Sequence, residues 1–273
     1  NPLGSNRYNK VNDILDQLQG QLNFDITFTP WLKFNSTNSI TLILSRFSHY
    51  ENPFIGNAAA TNGSIDKYTD VSYRWNYVQT LNAHKVFGLH DVQLMIGHEW
   101  YKMNKNFLEA LARGGFSPAI QEINAFADRY NSYSYQRNYN VEGYFANFLY
   151  NFDQKYFAQA SYRRDASSRF AKKNRWGDFW SIGGAWIISK EKFFQNLNTK
   201  WVDNLKLKAS IGQQGNDGIP NFNYIDMYTL VRGGQSMLPS FYGIGNPKIT
   251  WETTTNFNRS EERRVGKECL RLC

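Results

Sequence analysis

"LQGQLNFDITF", Leu18–Phe28, decides the fold. Leu18, Gly20, Leu22, Phe24, Ile26 and Phe28 fall on one face if the segment is extended. Gln19, Gln21, Asn23, Asp25 and Thr27 fall on the other. A period of two is the mark of a β-strand with unlike surroundings on its two sides. One side wants an apolar medium and the other wants water.

The pattern repeats outward along the chain. After "TPW" it resumes at Leu32 and Phe34, then at Ile40, Leu42 and Leu44. Val71, Tyr73, Trp75 and Tyr77 make another stripe, and Val92, Leu94, Ile96 and Trp100 the next. Tyr144, Ala146, Phe148, Tyr150 and Phe152 follow, then Tyr156, Ala158, Ala160 and Tyr162. Trp180, Ile182, Trp186 and Ile188, then Leu205, Leu207, Ala209 and Ile211, continue it; Ile249, Trp251 and Phe257 close the series. The intervening positions are mostly Asn, Gln, Ser, Thr, Asp, Lys and Arg. This predicts about ten strands, many long enough for the roughly 9–11 residues that a tilted strand needs to cross a bilayer.

Connections alternate between tight ones, at 29–31, 83–88 and 153–155, and long ones, at 46–65, 105–137 and 164–177. Rings border the tight turns: Phe28, Trp31, Phe87, Phe152 and Tyr156. Short turns on one side, long loops on the other and an aromatic girdle describe an outer-membrane barrel. A soluble β-sandwich also alternates. The charged, amide-rich polar face, the strand lengths and the rings at strand ends favour the membrane. One connection differs: "SKEKFFQNLNTKWVDN", 189–204, sets Phe193, Phe194, Leu197 and Trp201 at helical spacing. It predicts one short amphipathic helix on the turn side.

Composition agrees. Aromatics are 16% of the chain while mean hydropathy is −0.58, so the rings are not part of continuous greasy runs. No stretch reaches the roughly 18 apolar residues of a membrane helix. "NPLGSNRYNK" lacks the apolar segment of a secretion signal, which leaves a cytosolic protein or a chain that does not begin where its gene begins. The net charge of +8 is spread over every strand, which argues against a nucleic-acid stripe. Both cysteines, Cys269 and Cys273, sit in the last residues, so the body holds neither disulfides nor thiol metal ligands.

Little suggests catalysis. His49, His84, His90 and His98 make no zinc-type pairing with acids on a helix. His84 and His90 flank a tight turn; only His49, at the edge of a long loop, could serve a rim hydrolase. No phosphate loop, dinucleotide fingerprint or nucleophile elbow is present. The expectation is no catalytic residue, no metal, no cofactor and no enzyme activity, with ligand-binding residues unassigned.

A longer stretch carries a resemblance. "YFAQASYRRDASSRFAKKNRWGDFWSIGGAWIISKEKFF", then "NLKLKASIGQQGNDGI" and "NPKITWETT", resembles the barrel of SusC/RagA-type TonB-linked outer-membrane transporters. Arg163, Arg164, Asp165, Ser167, Ser168, Arg169 and Phe170 match the signature that ends one strand; Arg175, Trp176 and Gly177 match the start of the next. Gly215, Asn216, Gly218 and Ile219 match a later loop, and Trp251, Glu252 and Thr253 a later strand start. Ala166 stands where the family has Gly, and Trp180 where it often has Pro. Motifs run in order over 140–255; residues 1–139 carry weaker signatures.

The resemblance implies an all-β fold: a partial transmembrane antiparallel β-barrel with one short periplasmic-side helix. It implies import of glycans, oligosaccharides or peptides across the outer membrane. The implied partners are TonB, acting through segments this chain lacks, a SusD-like surface lipoprotein, the substrate and outer-membrane lipid. Tyr162 and Trp180 would face lipid; Arg163 and Asp165 would face the lumen or its rim, where they can pair. Loops 46–65 and 105–137 would face substrate. The expected division is 1–258 as part of the barrel and 259–273 as a non-native tail, because alternation stops after Phe257 and "NRSEERRVGKECLRLC" resembles translated sequencing adapter. The other readings are a passive or adhesive outer-membrane barrel and a soluble carbohydrate-binding β-sandwich.

Overall fold

The computed structural model describes residues 8–197, 202–233 and 236–265. Eleven strands follow in chain order: β1 Lys10–Thr29, β2 Leu32–Glu51, β3 Ser64–Phe87, β4 His90–Gly115, β5 Phe126–Phe152, β6 Tyr156–Ser167, β7 Trp176–Ile187, β8 Val202–Asn216, β9 Met227–Gly233, β10 Ser236–Gly243 and β11 Glu252–Val265. Nine form one sheet in the order β1-β2-β3-β4-β5-β6-β7-β8-β11, and β9 pairs with β10 alone. This is an all-β chain, a partial barrel whose sheet is not closed.

The direction of the edges follows from the count. Antiparallel neighbours alternate in direction, so the first and ninth strands of the sheet run the same way. An antiparallel barrel has no parallel seam, so β1 cannot pair with β11. Closure needs an odd number of further strands between them.

Contacts divide the described residues into two units. One takes 8–22, 38–76 and 101–139; the other takes 23–37, 77–100 and the described residues from 140 onward. The first contains the 52–63 and 116–125 loops. Its core is Tyr50, Ile65, Ala112 and Phe126, packed with Ile123 and Ala125. Asn52 is buried; its Oδ1 accepts from Phe54 N at 2.9 Å and Ile55 N at 3.0 Å. The loops clasp through Gly115 N donating to Asn62 O at 2.8 Å and Asn62 Nδ2 donating to Gly115 O at 3.0 Å. Asn62 and Gly63 stand at φ 57° and 87°, which suits Asn and Gly better than other residues.

The second unit contains the tight turns. His84 N donates to Trp31 O, Asp153 N to Leu89 O, and Ile187 N to Lys155 O, each at 2.8 Å. Each turn is thereby hydrogen-bonded to the next hairpin. Asp153 and Gln154 both take left-handed backbone, φ 53° and 52°, as a tight hairpin with matching twist requires.

Several expectations change. The segment 105–137 is mostly strand: β4 runs to Gly115 and β5 begins at Phe126. The outer limits at 46–65 and 164–177 shrink likewise to 52–63 and 168–175, and the 83–88 turn shrinks to Gly88–Leu89. The strands run well past the length a bilayer needs, and beyond lipid the apolar stripe has no reason to persist. In β5 the even-position run of rings (Tyr144, Phe148, Tyr150, Phe152) gives way to rings on both sides (Phe126 and Tyr130 even; Tyr133, Tyr135 and Tyr139 odd), so the single apolar stripe ends while the strand continues.

The predicted helix is one turn, α1, Lys192–Gln195, after a 3-10 turn at Ile188–Lys190. β8 already begins at Val202, inside the range read as helix. Phe193 and Leu197 are exposed; Trp201 lies outside the described residues. Glu191, just before α1, ties the turn to the sheet: Tyr156 Oη donates to it at 2.5 Å and Trp186 Nε1 at 3.1 Å. These donors hold its carboxyl below the usual carboxylate range. A depressed carboxyl stabilises the fold above its unfolded value, and that stability is lost as pH falls through the folded value. In the complete receptor, Glu191→Gln should therefore lower the melting temperature at pH 7, and the difference should vanish well below pH ~4. Thermal scans at both pH values check it; an equal deficit at both would contradict the assignment.

Candidate functional site

The site-bearing region is the wall of the second unit, and register builds it. Across β5–β8, Ala146, Tyr162 and Trp180 align, then Phe148, Ala160, Ile182 and Ile211, and then Phe152, Tyr156, Trp186 and Leu207. Phe257 of β11 pairs with Ile211 and extends the apolar side. Between these rows lie Asn147, Ser161, Ser181 and Gly212; Leu149, Gln159, Gly183 and Ser210; and Asn151, Phe157, Ala185 and Lys208. Tyr162 and Trp180 therefore share the apolar side, where Ile182 is 57% and Phe257 69% exposed to solvent. Apolar rows this bare are unsustainable in water and suit lipid.

The opposite side is wet. A cavity of about 520 Å³ lies over it, lined by polar Gln93, Gln159 and Lys208 and by apolar Leu149, Phe157 and Ala209 among others. Its floor is Gly183 and Ala185 of β7, and Lys206 sits 5.0 Å from the Phe157 ring centre. Its lining mixes amides and hydroxyls with aliphatic residues and the Tyr150 and Phe157 rings. It contains no nucleophile paired with a base.

Arg163 and Asp165 pair on this polar side. Arg163 Nε donates to both Asp165 oxygens at 2.7 Å, and its Nη2 donates to Glu99 at 2.7 Å. Gly143 lets the pair lie flat across β5: a Cβ there would stand 2.2 Å from Asp165 Oδ1 and 2.8 Å from Arg163 Nη2. Gly97 does the same for Phe145, whose ring lies under the Arg163 guanidinium at 5.5 Å. Gly143→Val should force the ion pair off the wall and cost about 1–3 kcal/mol. Urea unfolding of the complete receptor checks this; an unchanged midpoint would contradict it.

The rest of the signature folds into a knot. Ser167 and Phe170 are fully buried. The ring centre of Phe170 lies 5.4 Å from that of Trp251, which lies 5.2 Å from that of Phe179. Ser167 Oγ donates to Asp217 Oδ2 at 2.6 Å, and Arg169 Nη1 to Asp217 O at 2.9 Å. On the apolar side Arg164 lies over Trp176 and faces Asp178 at 3.7 Å.

The four histidines take separate neighbours. His84 pairs with Asp91 at 2.9 Å, and His90 with the Tyr150 hydroxyl at 2.7 Å. His98 lies between Gln79 and Glu142; His49 neighbours Phe47. Among the described residues no group of three His, Cys, Asp or Glu is placed to hold a metal. Residues Arg259–Val265 continue β11 in register with β8, while Cys269 and Cys273 lie outside the described residues. The glycine–long-residue pairs, Gly143 with Arg163 and Gly97 with Phe145, were not anticipated; only a known register reveals them.

Comparison with known proteins follows the same line. The family described as "TonB dependent receptor-like, beta-barrel" matches residues 1–258. The chain is 31% identical over 228 residues to "TonB-dependent receptor SusC" of Bacteroides thetaiotaomicron, covering 80% of this chain and 21% of that protein. It is 28% identical over 271 residues to "TonB-dependent receptor P39" of Formosa agariphila, covering 90% and 23%. The chain thus spans about a fifth of the length of these relatives. The fold is also similar to "Structure of the RagAB peptide transporter", with a TM-score of 0.86 at 23% identity over 95% of this chain and 29% of that one.

Proposed function

The chain belongs to the TonB-dependent receptor-like β-barrel family, is of SusC/RagA type and is an outer-membrane protein; from that premise we propose that it is one arc of the wall of an importer. The cargo we propose is glycan, oligosaccharide or peptide, SusC and the RagAB peptide transporter being its similar proteins. One observation carries the reading: over four strands in register, bare apolar rows alternate with rows of Asn, Gln, Ser, Lys and small residues that border a cavity of about 520 Å³. Such a wall separates lipid from an aqueous path and does no chemistry. We propose TonB and a SusD-like surface lipoprotein as partners, residues 1–258 as native barrel, and 259–273 as a non-native tail. The family match to Asn258 and the end of alternation there support the last point.

The test is uptake in the source bacterium. Deleting the gene should abolish growth on one class of glycan or peptide, and restoring it should rescue growth only while TonB is present. Rescue without TonB would leave a passive barrel, and undiminished growth on every glycan and peptide tried would overturn import.

A further inference from the structure

Above the apolar stripe of Val71, Tyr73 and Trp75, the polar sides of β2, β3, β4 and β5 are arranged in rows. One row is made of rings. Phe47 of β2 lies 4.8 Å from Tyr68 of β3, Tyr68 lies 5.4 Å from Phe107 of β4, and Phe107 lies 5.0 Å from Tyr135 of β5, centre to centre. One step toward the membrane, Lys105 Nζ of β4 meets Asp70 of β3 at 2.5 Å. Period two then fixes the next step outward: His49, Asp66, Glu109 and Tyr133, from the same four strands. All of these belong to the first unit.

Where the inner row sets a base against an acid, the outer row sets two acids against each other. Like charges on neighbouring strands repel. Asp66 and Glu109 instead hydrogen-bond to each other. An ionised carboxylate only accepts, so that bond needs a proton on one of the two. Asp66 is the better holder. Its Oδ1 is buried and receives no hydrogen bond, so a charge there would go unbalanced. Burial, and then the nearby Glu109, pushes its carboxyl above the usual range. Glu109 takes a further hydrogen bond from the Tyr133 hydroxyl, which suits a carboxylate.

The other charges around the pair are occupied or oppose it only in part. His49 of β2 faces Asp66 and lowers its carboxyl, by less than burial and Glu109 raise it. Lys105 is on Asp70, Lys67 on Glu122 and Arg113 on Asp128, each within 2.7 Å. Glu51 accepts from Ser64 Oγ at 2.8 Å, and Arg137 lies over the Tyr135 ring.

The pair sits beside the core of the long loops. Ile65, next to Asp66, is 1% exposed and packs with Tyr50, Ala112 and Phe126. Just past it, Gly114 N donates to Gly63 O at 3.1 Å and Phe116 N to Ala125 O at 2.8 Å, rooting the 52–63 and 116–125 loops. We propose that a proton shared by Asp66 and Glu109 clamps β3 to β4 here, and that its loss as pH rises loosens both loops. The sign follows from linkage: a carboxyl raised on folding stabilises at low pH, and that stability goes as pH rises through the folded value. The clamp does not rest on the import reading.

Hydrogen exchange of the complete receptor at about pH 5 and about pH 8, corrected for intrinsic rates, tests it. In wild type, amides of 52–66 and 109–126 should lose protection roughly threefold or more at the higher pH. Asp66→Asn keeps a donor for Glu109 without the titration, so it should hold the low-pH protection at both values. Glu109→Gln should do the same by donating to Asp66. Either variant alone decides the test if the other does not assemble. His49 still titrates in both, so a variant that loses as much protection as wild type would assign the effect to His49 and overturn the clamp. Equal wild-type protection at both pH values, or more at the higher one, would overturn it as well.

Discussion

Residues 1–273, produced alone and refolded into detergent, should give aggregates and no monomeric, heat-modifiable barrel. The reason is the two sheet edges. β1 offers an unpaired side over Lys10–Thr29, and its side chains are exposed nearly throughout. β11 offers a second unpaired side over Glu252–Val265. In lipid each unpaired backbone group costs several kcal/mol, so an open edge is not tolerated there. In water the bare apolar rows at Phe24, Ile96, Ile182 and Phe257 are equally untenable. Joining β1 to β11 does not cure either problem, because the two run the same way. Size-exclusion chromatography in detergent, with gel mobility before and after boiling, reads the outcome. A monodisperse monomer that unfolds cooperatively would contradict the open-sheet description.

Phe170→Ala should cost the complete receptor about 3–5 kcal/mol, the usual loss for truncating a buried Phe. Its side chain is 0% exposed and packs against Trp251, which in turn packs against Phe179. That cluster sits at the roots of the 168–175 and 217–251 loops, so its loss should also free Trp251 from Arg175 O. Urea melts should show the shift, and proteolysis should cut 217–251 faster while the barrel stays heat-modifiable. Phe170→Leu, which keeps most of the volume, should recover most of the midpoint. A midpoint within about 1 kcal/mol of wild type for Phe170→Ala would place Phe170 outside any core.

Sequence made the membrane-level strands legible because lipid and lumen demand opposite chemistry on alternate residues. Leu18–Phe28 and Tyr144–Phe152 read directly for that reason. The same logic hid the outer halves. Past the bilayer, β4 and β5 keep their pairing but lose the single lipid-facing stripe, so 105–137 reads as loop. Arg163 with Asp165 was legible from the signature. Glu99 and Gly143 were not, because they come from strands whose register the sequence does not state. The β9–β10 hairpin was also hidden: "FNYIDMYTLVRGG" carries neither a clear alternation nor a turn signature strong enough to separate it from the barrel.

The most direct measurement of the central claim is a cysteine scan along β6 of the complete receptor in its outer membrane. Ala158→Cys and Ala160→Cys should resist a charged, water-soluble thiol reagent and react with a lipid-soluble one. Gln159→Cys and Ser161→Cys should show the reverse. Strict alternation places this sheet between lipid and an aqueous lumen. Equal reaction of all four with the charged reagent would contradict the barrel wall and return the chain to a water-exposed sheet.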